Sequence, residues 1–291
     1  MLILALESSA KSASVALCSD NELLGQYFQN SGLTHSRTLL MMVESLMKNL
    51  DATLSDVDLI AVSRGPGSFT GVRIGVAAAK GLAWGADKPV CGVSTLEAMA
   101  CQLLPVTISA TPVSSLPDNA PSVSAPPACA VPDSPVVSGF QAGVIAFTET
   151  AIAPIICSVM DARRAQVYNA LFKSEGHDLV RLCDDRAVPL DFLSDDLKQY
   201  TGHYVPGAQC LPGAHCLPGA HCLLVGDGAE LSYEHLTAAG IQCMTPPPLL
   251  RLQTAYGVAL AAVGKEHVTP SELAPSYLRP SQAERNLRGD S

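Results

Sequence analysis

Arg64-Gly-Pro-Gly-Ser-Phe-Thr-Gly-Val-Arg-Ile-Gly75 joins a short apolar run, Leu59-Ile60-Ala61-Val62, to the small-residue stretch Val72–Ala83. The run reads as a buried strand and the stretch as a helix over 70–85, a strand–turn–helix unit of an α/β fold. Gly65 and Gly67 open backbone angles closed to other residues, and Pro66 fixes one turn dihedral. Ser68 or Thr70 can cap the helix by accepting from an orphan amide. Two readings of the turn follow. Its free N–H groups can cradle a phosphate, or it is a tight turn packed on the chain's own core. Gly71, Gly75 and Ala79 recur every four residues, so one helix face is nearly bare and admits a close neighbour.

The 291 residues suffice for two domains. Charged residues make up 15%, below the usual share of about 25%. A net charge of −9 offers no global basic field for nucleic acid, so any RNA would be held mainly through a partner. No apolar run approaches the ~20 residues of a membrane span, and Glu7 interrupts Met1–Leu6 before it can act as a signal segment. Ten cysteines in a chain of this length without a signal segment read as reduced thiols of a cytoplasmic protein.

Outward from the turn, Leu2–Leu6 and Ser14–Cys18 read as two strands around Glu7-Ser8-Ser9, with a third at Leu24–Gln29. Thr34 can cap a helix from His35 to Leu50. Its apolar residues, among them Leu39, Leu40, Val43, Leu46, Met47 and Leu50, form a stripe too wide for one buried side. The helix is either wedged between two elements of its own domain or shared between the chain's sheet and a second protein. Val90–Val93 reads as a strand leading to a helix capped by Ser94 or Thr95. This N-terminal lobe spans 1–103.

Residues 104–141 are rich in Pro, Ser and Ala, a texture that blocks helix and sheet ladders and reads as an insertion without regular structure. The C-terminal lobe, 142–291, resumes with a hairpin, Ile152–Met160 and Ala165–Lys173, around Asp161-Ala162-Arg163-Arg164. A loop at 206–223 repeats Pro-Gly-Ala-(Gln/His)-Cys-Leu three times. Cys210, His215, Cys216, His221 and Cys222 combine zinc and copper ligand types, but the spacing fits no ordinary module. Beyond it come Leu223–Val225 as a strand, Gly226-Asp227-Gly228 as a turn, a helix at Gln253–Val263 and an extended tail, Pro275–Pro280.

Leu4-Ala-Leu-Glu-Ser-Ser9, Arg64–Gly75, Gly92-Val-Ser-Thr-Leu96, Asp161-Ala-Arg163 with Val167-Tyr168, and Pro275-x-Tyr277-Leu278-Arg279 together resemble the TsaB (YeaZ) family of the Gcp/Kae-like superfamily. Glu7 stands where that family more often has Asp. The resemblance leaves out the 104–141 insertion and the repeat. It implies an actin/Hsp70-like (ASKHA) fold of two ribonuclease-H-like lobes. It also implies a non-catalytic scaffold and activator of the paralogue TsaD, the threonylcarbamoyltransferase. That system makes N6-threonylcarbamoyladenosine in tRNAs reading codons that begin with A, with the TsaE ATPase as a further partner. In that family the helices equivalent to 35–50 and 70–85 bundle with those of TsaD or of a second copy. The residues expected at such an interface are Leu39, Val43, Leu46, Met47, Leu50, Gly71, Ile74, Gly75, Ala78 and Leu82.

The catalytic paralogue carries a metal-binding His pair four residues apart. Here His35 is followed by Leu39, and no His-x-x-x-His occurs in the chain, so neither a catalytic residue nor a metal ligand is expected. The competing class is a nucleotide-dependent transferase or ATPase using the inter-lobe cleft. Its nucleotide would lie on Glu7, Ser8, Ser9, Gly226, Asp227 and Gly228. On the scaffold reading, ATP or ADP enters only at the level of the complex. A metal-handling protein built on the Cys/His repeat is a third class.

Overall fold

The computed structural model describes residues 1–104, 155–175, 178–200 and 222–279. The expected insertion beyond Leu104, and Cys210, His215, Cys216 and His221 of the repeat, lie outside them. The first sheet is built from β1 (Leu2–Glu7), β2 (Ala13–Ser19), β3 (Glu22–Gln29), β4 (Leu59–Ser63) and β5 (Val90–Val93), in the order β3-β2-β1-β4-β5. β1 to β3 form an antiparallel meander, while β4 and β5 run parallel to β1. β1 and β4 are buried along nearly their whole length, which is why both read as unbroken apolar runs. Their side chains alternate: Leu4, Leu6, Ile60 and Val62 face one core, Ile3, Ala5, Leu59 and Ala61 the other.

α1 (His35–Asn49) and α2 (Phe69–Ala86) cover the first of these faces. Leu39, Val43, Leu46 and Met47 of α1 and Val72, Val76, Ala79 and Ala83 of α2 pack into it. Ser68 is the N-cap of α2, its Oγ accepting the Gly71 amide at 3.3 Å. Thr34 holds the N-cap position of α1 without making the side-chain bond.

The second sheet comprises β6 (Ile155–Asp161), β7 (Gln166–Glu175), β8 (Asp178–Arg181), β10 (Cys222–Val225) and β11 (Cys243–Met244), with β9 (Arg186–Pro189) beside β7. Its order, β8-β7-β6-β10-β11, repeats the first: an antiparallel meander followed by two parallel strands. α4 (Leu190–Tyr200) and α5 (Ala229–Ala238) cover its outer face through Leu193, Leu197 and Leu236. β8, β9 and α4 went unread in the sequence. The strands are only four residues long, whereas Leu190, Leu193 and Leu197 carry a legible helical spacing.

Two helices fill the space between the sheets. α3 (Thr95–Cys101) sets Leu96 and Met99 against Ile156 and Phe172 of the second sheet. α7 (Ala255–Ala262) sets Val258, Ala259 and Ala262 against Ile3, Ala5 and Ala61 of the first; a short α6 (Pro248–Arg251) precedes it. Ser94 caps α3 and Thr254 caps α7, each accepting the amide three residues on. Residues 255–279 follow the second lobe in sequence, yet α7 buries its apolar side on the first sheet, and Leu273 enters the α1–α2 core.

Candidate functional site

A cleft of about 450 Å³ separates the β1–β2 turn and the start of α2 on one side from the β6–β7 turn on the other. Ser9, Lys11, Asp161, Arg163, Asp227 and Arg279 contribute its polar rim, with Phe69, Tyr168 and Tyr277 as aromatic walls. Of the six residues expected to hold a nucleotide, only Ser9 and Asp227 line this cleft. Glu7 and Ser8 are both fully buried, Ser8 against α2 and Glu7 on the opposite face of β1 beside Ser63. The Glu7 carboxylate accepts the Ser9 amide at 2.6 Å, and burial, opposed by the Ser9 and Ser63 hydroxyls, raises its pKa above the ordinary carboxylate value. Ser8 Oγ donates to the Gly71 carbonyl at 2.9 Å.

Gly226 and Gly228 are packing glycines. A Cβ on Gly226 would collide with the Val159 carbonyl, and one on Gly228 would press on Met160. Burial likewise raises the pKa of Asp227, with the nearby Asp161 charge adding to it and the Gln253 amide, 3.0 Å away, opposing it.

The Arg64–Gly75 turn is engaged by the chain itself. Ser68 N donates to Ser9 O at 2.6 Å, Arg64 N to Val93 O at 2.9 Å, and Thr95 N to Gly65 O at 3.0 Å. Gly65 adopts a left-handed φ of 115°, and a Cβ there would strike the Ser276 carbonyl. Arg64 N, Ser68 N and Gly65 O are thus satisfied within the chain. Asp161 is a turn aspartate, its Oδ1 accepting the Arg163 amide at 2.7 Å.

The docking residues divide. Leu39, Val43, Leu46 and Met47 are buried in the lobe's own core. Gly71 and Gly75 are buried as well. A Cβ on Gly71 would collide with the Ser8 carbonyl, and one on Gly75 with Ser8 Oγ, so the bare face of α2 lies on β1 and its turn. Leu50, Ile74, Ala78 and Leu82 are only partly covered. Beside them stand residues outside the expected set: Leu40 at 51% exposure, Met41 at 63% and Trp84 at 62%. At Gly81 and Gly85 an added Cβ would meet open space. Met41 and Met42 also line a shallow groove of about 380 Å³ with Tyr27, Gln29, Thr38 and Ser45. The outer face of α1 and α2 thus carries an apolar patch with small residues along α2, set among exposed charges such as Arg37, Glu44 and Lys48.

His35, the first residue of α1, places Nε2 2.7 Å from the Ala10 carbonyl, and Leu39 one turn on fills the core. Among the described residues no three His, Cys, Asp or Glu side chains gather closely enough to hold a metal ion. Burial pushes the Cys18 and Cys101 thiols up to about 12, far from nucleophilic activation.

Two lobes with one repeated strand order, a cleft between them and helices sandwiched at their junction define the actin/Hsp70-like class, built from ribonuclease-H-like halves. A solved structure, YeaZ from Pseudomonas aeruginosa, superposes with a TM-score of 0.58 over 95% of this chain and 99% of its own, at 22% identity. The profile of the family "TsaD: tRNA N6-adenosine threonylcarbamoyltransferase" matches residues 29–125. Curated relatives named tRNA threonylcarbamoyladenosine biosynthesis protein TsaB are 43% identical over 100 residues in Escherichia coli and 40% identical over 100 residues in Bacillus subtilis. Each match takes in 34% of this chain and 43% or 44% of the relative, so the matched stretch spans less than half of these proteins. Over that stretch the chain is similar to proteins of the TsaB type.

Proposed function

We propose that this chain is a non-catalytic scaffold that docks, stabilises and activates a TsaD-type threonylcarbamoyltransferase in the formation of N6-threonylcarbamoyladenosine in tRNAs reading codons that begin with A. The observation that carries it is the uncovered apolar face of α1 and α2, where Leu40, Met41 and Trp84 are exposed beside Ile74, Ala78 and Leu82. A surface of this kind is stable in water when another helix pair covers it. The enclosure of Ser8 by α2 weighs against the competing transferase. tRNA and the TsaE ATPase belong to this reading only through the assembled complex, and a second copy of the chain is the other occupant of the same face.

Met41→Glu and Trp84→Glu place charge on the outer face without touching the core. Each should weaken binding to the purified paralogue at least tenfold in titration calorimetry while leaving the melting temperature within about 2 °C. Unchanged affinity in both would move the interface elsewhere. In cells depleted of the protein, neither variant should restore threonylcarbamoyladenosine in bulk tRNA. Calorimetry with ATP and magnesium on the partner-free chain tests the transferase reading, and heat with turnover would favour it.

A further inference from the structure

We propose that Ser276–Arg279 is a clasp that sets the closure of the inter-lobe cleft and carries that setting into the first turn of α2. The path of the chain after α7 supplies the argument. Val268 pairs with Val90 at the edge of the first sheet. The Lys80 ammonium then donates to the carbonyls of Ser271 and Leu273 at 3.3 and 3.0 Å, and the Leu273 side chain is buried. Next, Ser276 N donates to Arg64 O at 2.6 Å, an approach that only a glycine at position 65 allows. The Tyr277 ring stacks on Phe69 with centroids 4.6 Å apart. Arg73 lies 3.8 Å over the Phe69 ring, and its Nε donates to the Tyr277 hydroxyl at 2.9 Å.

Up to this point every anchor belongs to the N-terminal lobe. Two residues later the segment crosses the cleft, and Arg279 Nη1 donates to the Ala162 carbonyl at 2.8 Å. Ala162 opens a turn in which Arg163, Arg164 and Ala165 all have left-handed φ, 68°, 59° and 55°. Leu278 and Arg279 line the cleft itself. The anchoring is therefore lopsided. One lobe holds the strap at several places, and the other is reached through a charge-assisted bond that can let go while the strap stays seated. Because Phe69 and Arg73 are α2 residues, a change at the cleft reaches the helix that carries the docking face. This last step rests on the scaffold reading; the clasp does not.

Hydrogen exchange on the isolated chain tests it. In Arg279→Ala, amides of the 161–166 turn should exchange at least fivefold faster, with β10 and β11 unchanged; Arg279→Lys, which keeps a donor, should restore most of the protection. Tyr277→Ala should in addition speed exchange over 69–73. Wild-type rates at the turn in Arg279→Ala would overturn the clasp. For the coupling, Arg279→Ala should shift affinity for the purified TsaD-type paralogue at least threefold, although Arg279 lies off the outer face of α1 and α2. An unchanged affinity together with faster exchange would overturn the coupling alone. A wild-type chain that fails to bind the paralogue would sink the scaffold reading, and the exchange data would still judge the clasp.

Discussion

Gly71 and Gly75 are glycines because β1 and its turn press on α2 at those points. Gly75→Leu would force a branched side chain into Ser8 Oγ and Val62, and overpacking of that kind costs about 1–3 kcal/mol. Chemical denaturation should show the loss, so the variant reports on folding rather than docking. The fourfold spacing of small residues was plain in the sequence, but spacing does not say which side a bare face turns to. The answer came from Ser8, some sixty residues upstream, whose carbonyl and hydroxyl occupy the space.

Glu7 makes a second residue-scale prediction. Its pKa is raised in the folded chain by burial, so its contribution to stability is full below its ordinary value of about 4.5 and is lost as pH rises through the raised value. Asp227, raised in the same sense, adds to that slope. Thermal melts from pH 4.5 to 8 should therefore fall less steeply for Glu7→Gln, which should also be the more stable of the two at pH 8. A steeper fall in the variant would contradict the assignment.

At the level of elements, the strands and helices of the N-terminal lobe were legible because each has a clear period and boundary. β4, the Ser68 cap and α2 follow one another as the turn chemistry requires. The stripe of α1 is wide because apolar residues stand on both sides of the helix, which spacing alone did not divide. Leu39, Val43, Leu46 and Met47 face the sheet, and Leu40 and Met41 face out. α3 was recognisable by its Ser94 cap, but its position between two sheets was hidden, since its burial all round depends on a second lobe distant in sequence. That position makes Leu96 a shared core residue, fully buried. Leu96→Ala should cost about 2–5 kcal/mol, and both lobes should then melt in a single earlier transition. Calorimetric scanning would show two transitions if α3 served one lobe alone.

Across the whole molecule, further ties among the described residues join the lobes besides the sandwiched helices. Arg279 reaches Ala162 at the mouth of the cleft. Behind α3, Arg181 of β8 pairs with Asp185 at 2.7 Å and Glu97 at 3.3 Å, Lys265 reaches Glu97 at 2.8 Å, and Ser94 donates to Asp185 at 2.5 Å. Such a chain of partly buried charges fixes orientation through hydrogen bonds more than it adds stability. It escaped the sequence reading because its members lie on β5–α3, β8–β9 and the segment after α7. The contribution of α7 to the first sheet gives a prediction at this scale. A fragment of residues 1–104 would leave Ile3, Ala5, Ala16, Leu59 and Ala61 facing water. By circular dichroism and sizing it should be unfolded or aggregated; a folded monomer would show that α7 is dispensable.

The same exchange of α7 between lobes has a consequence for the order in which the molecule can be made. A chain emerging from the ribosome delivers both outer helices of the first lobe early, while one face of that lobe's sheet must wait for Ala255–Ala262. Until then a row of apolar side chains stays open, and it is covered only after the second lobe has been synthesised. Final closure of the first lobe is thus deferred until the second lobe has been made, and nascent-chain stages between the two lobes are where assistance from a chaperone would count most.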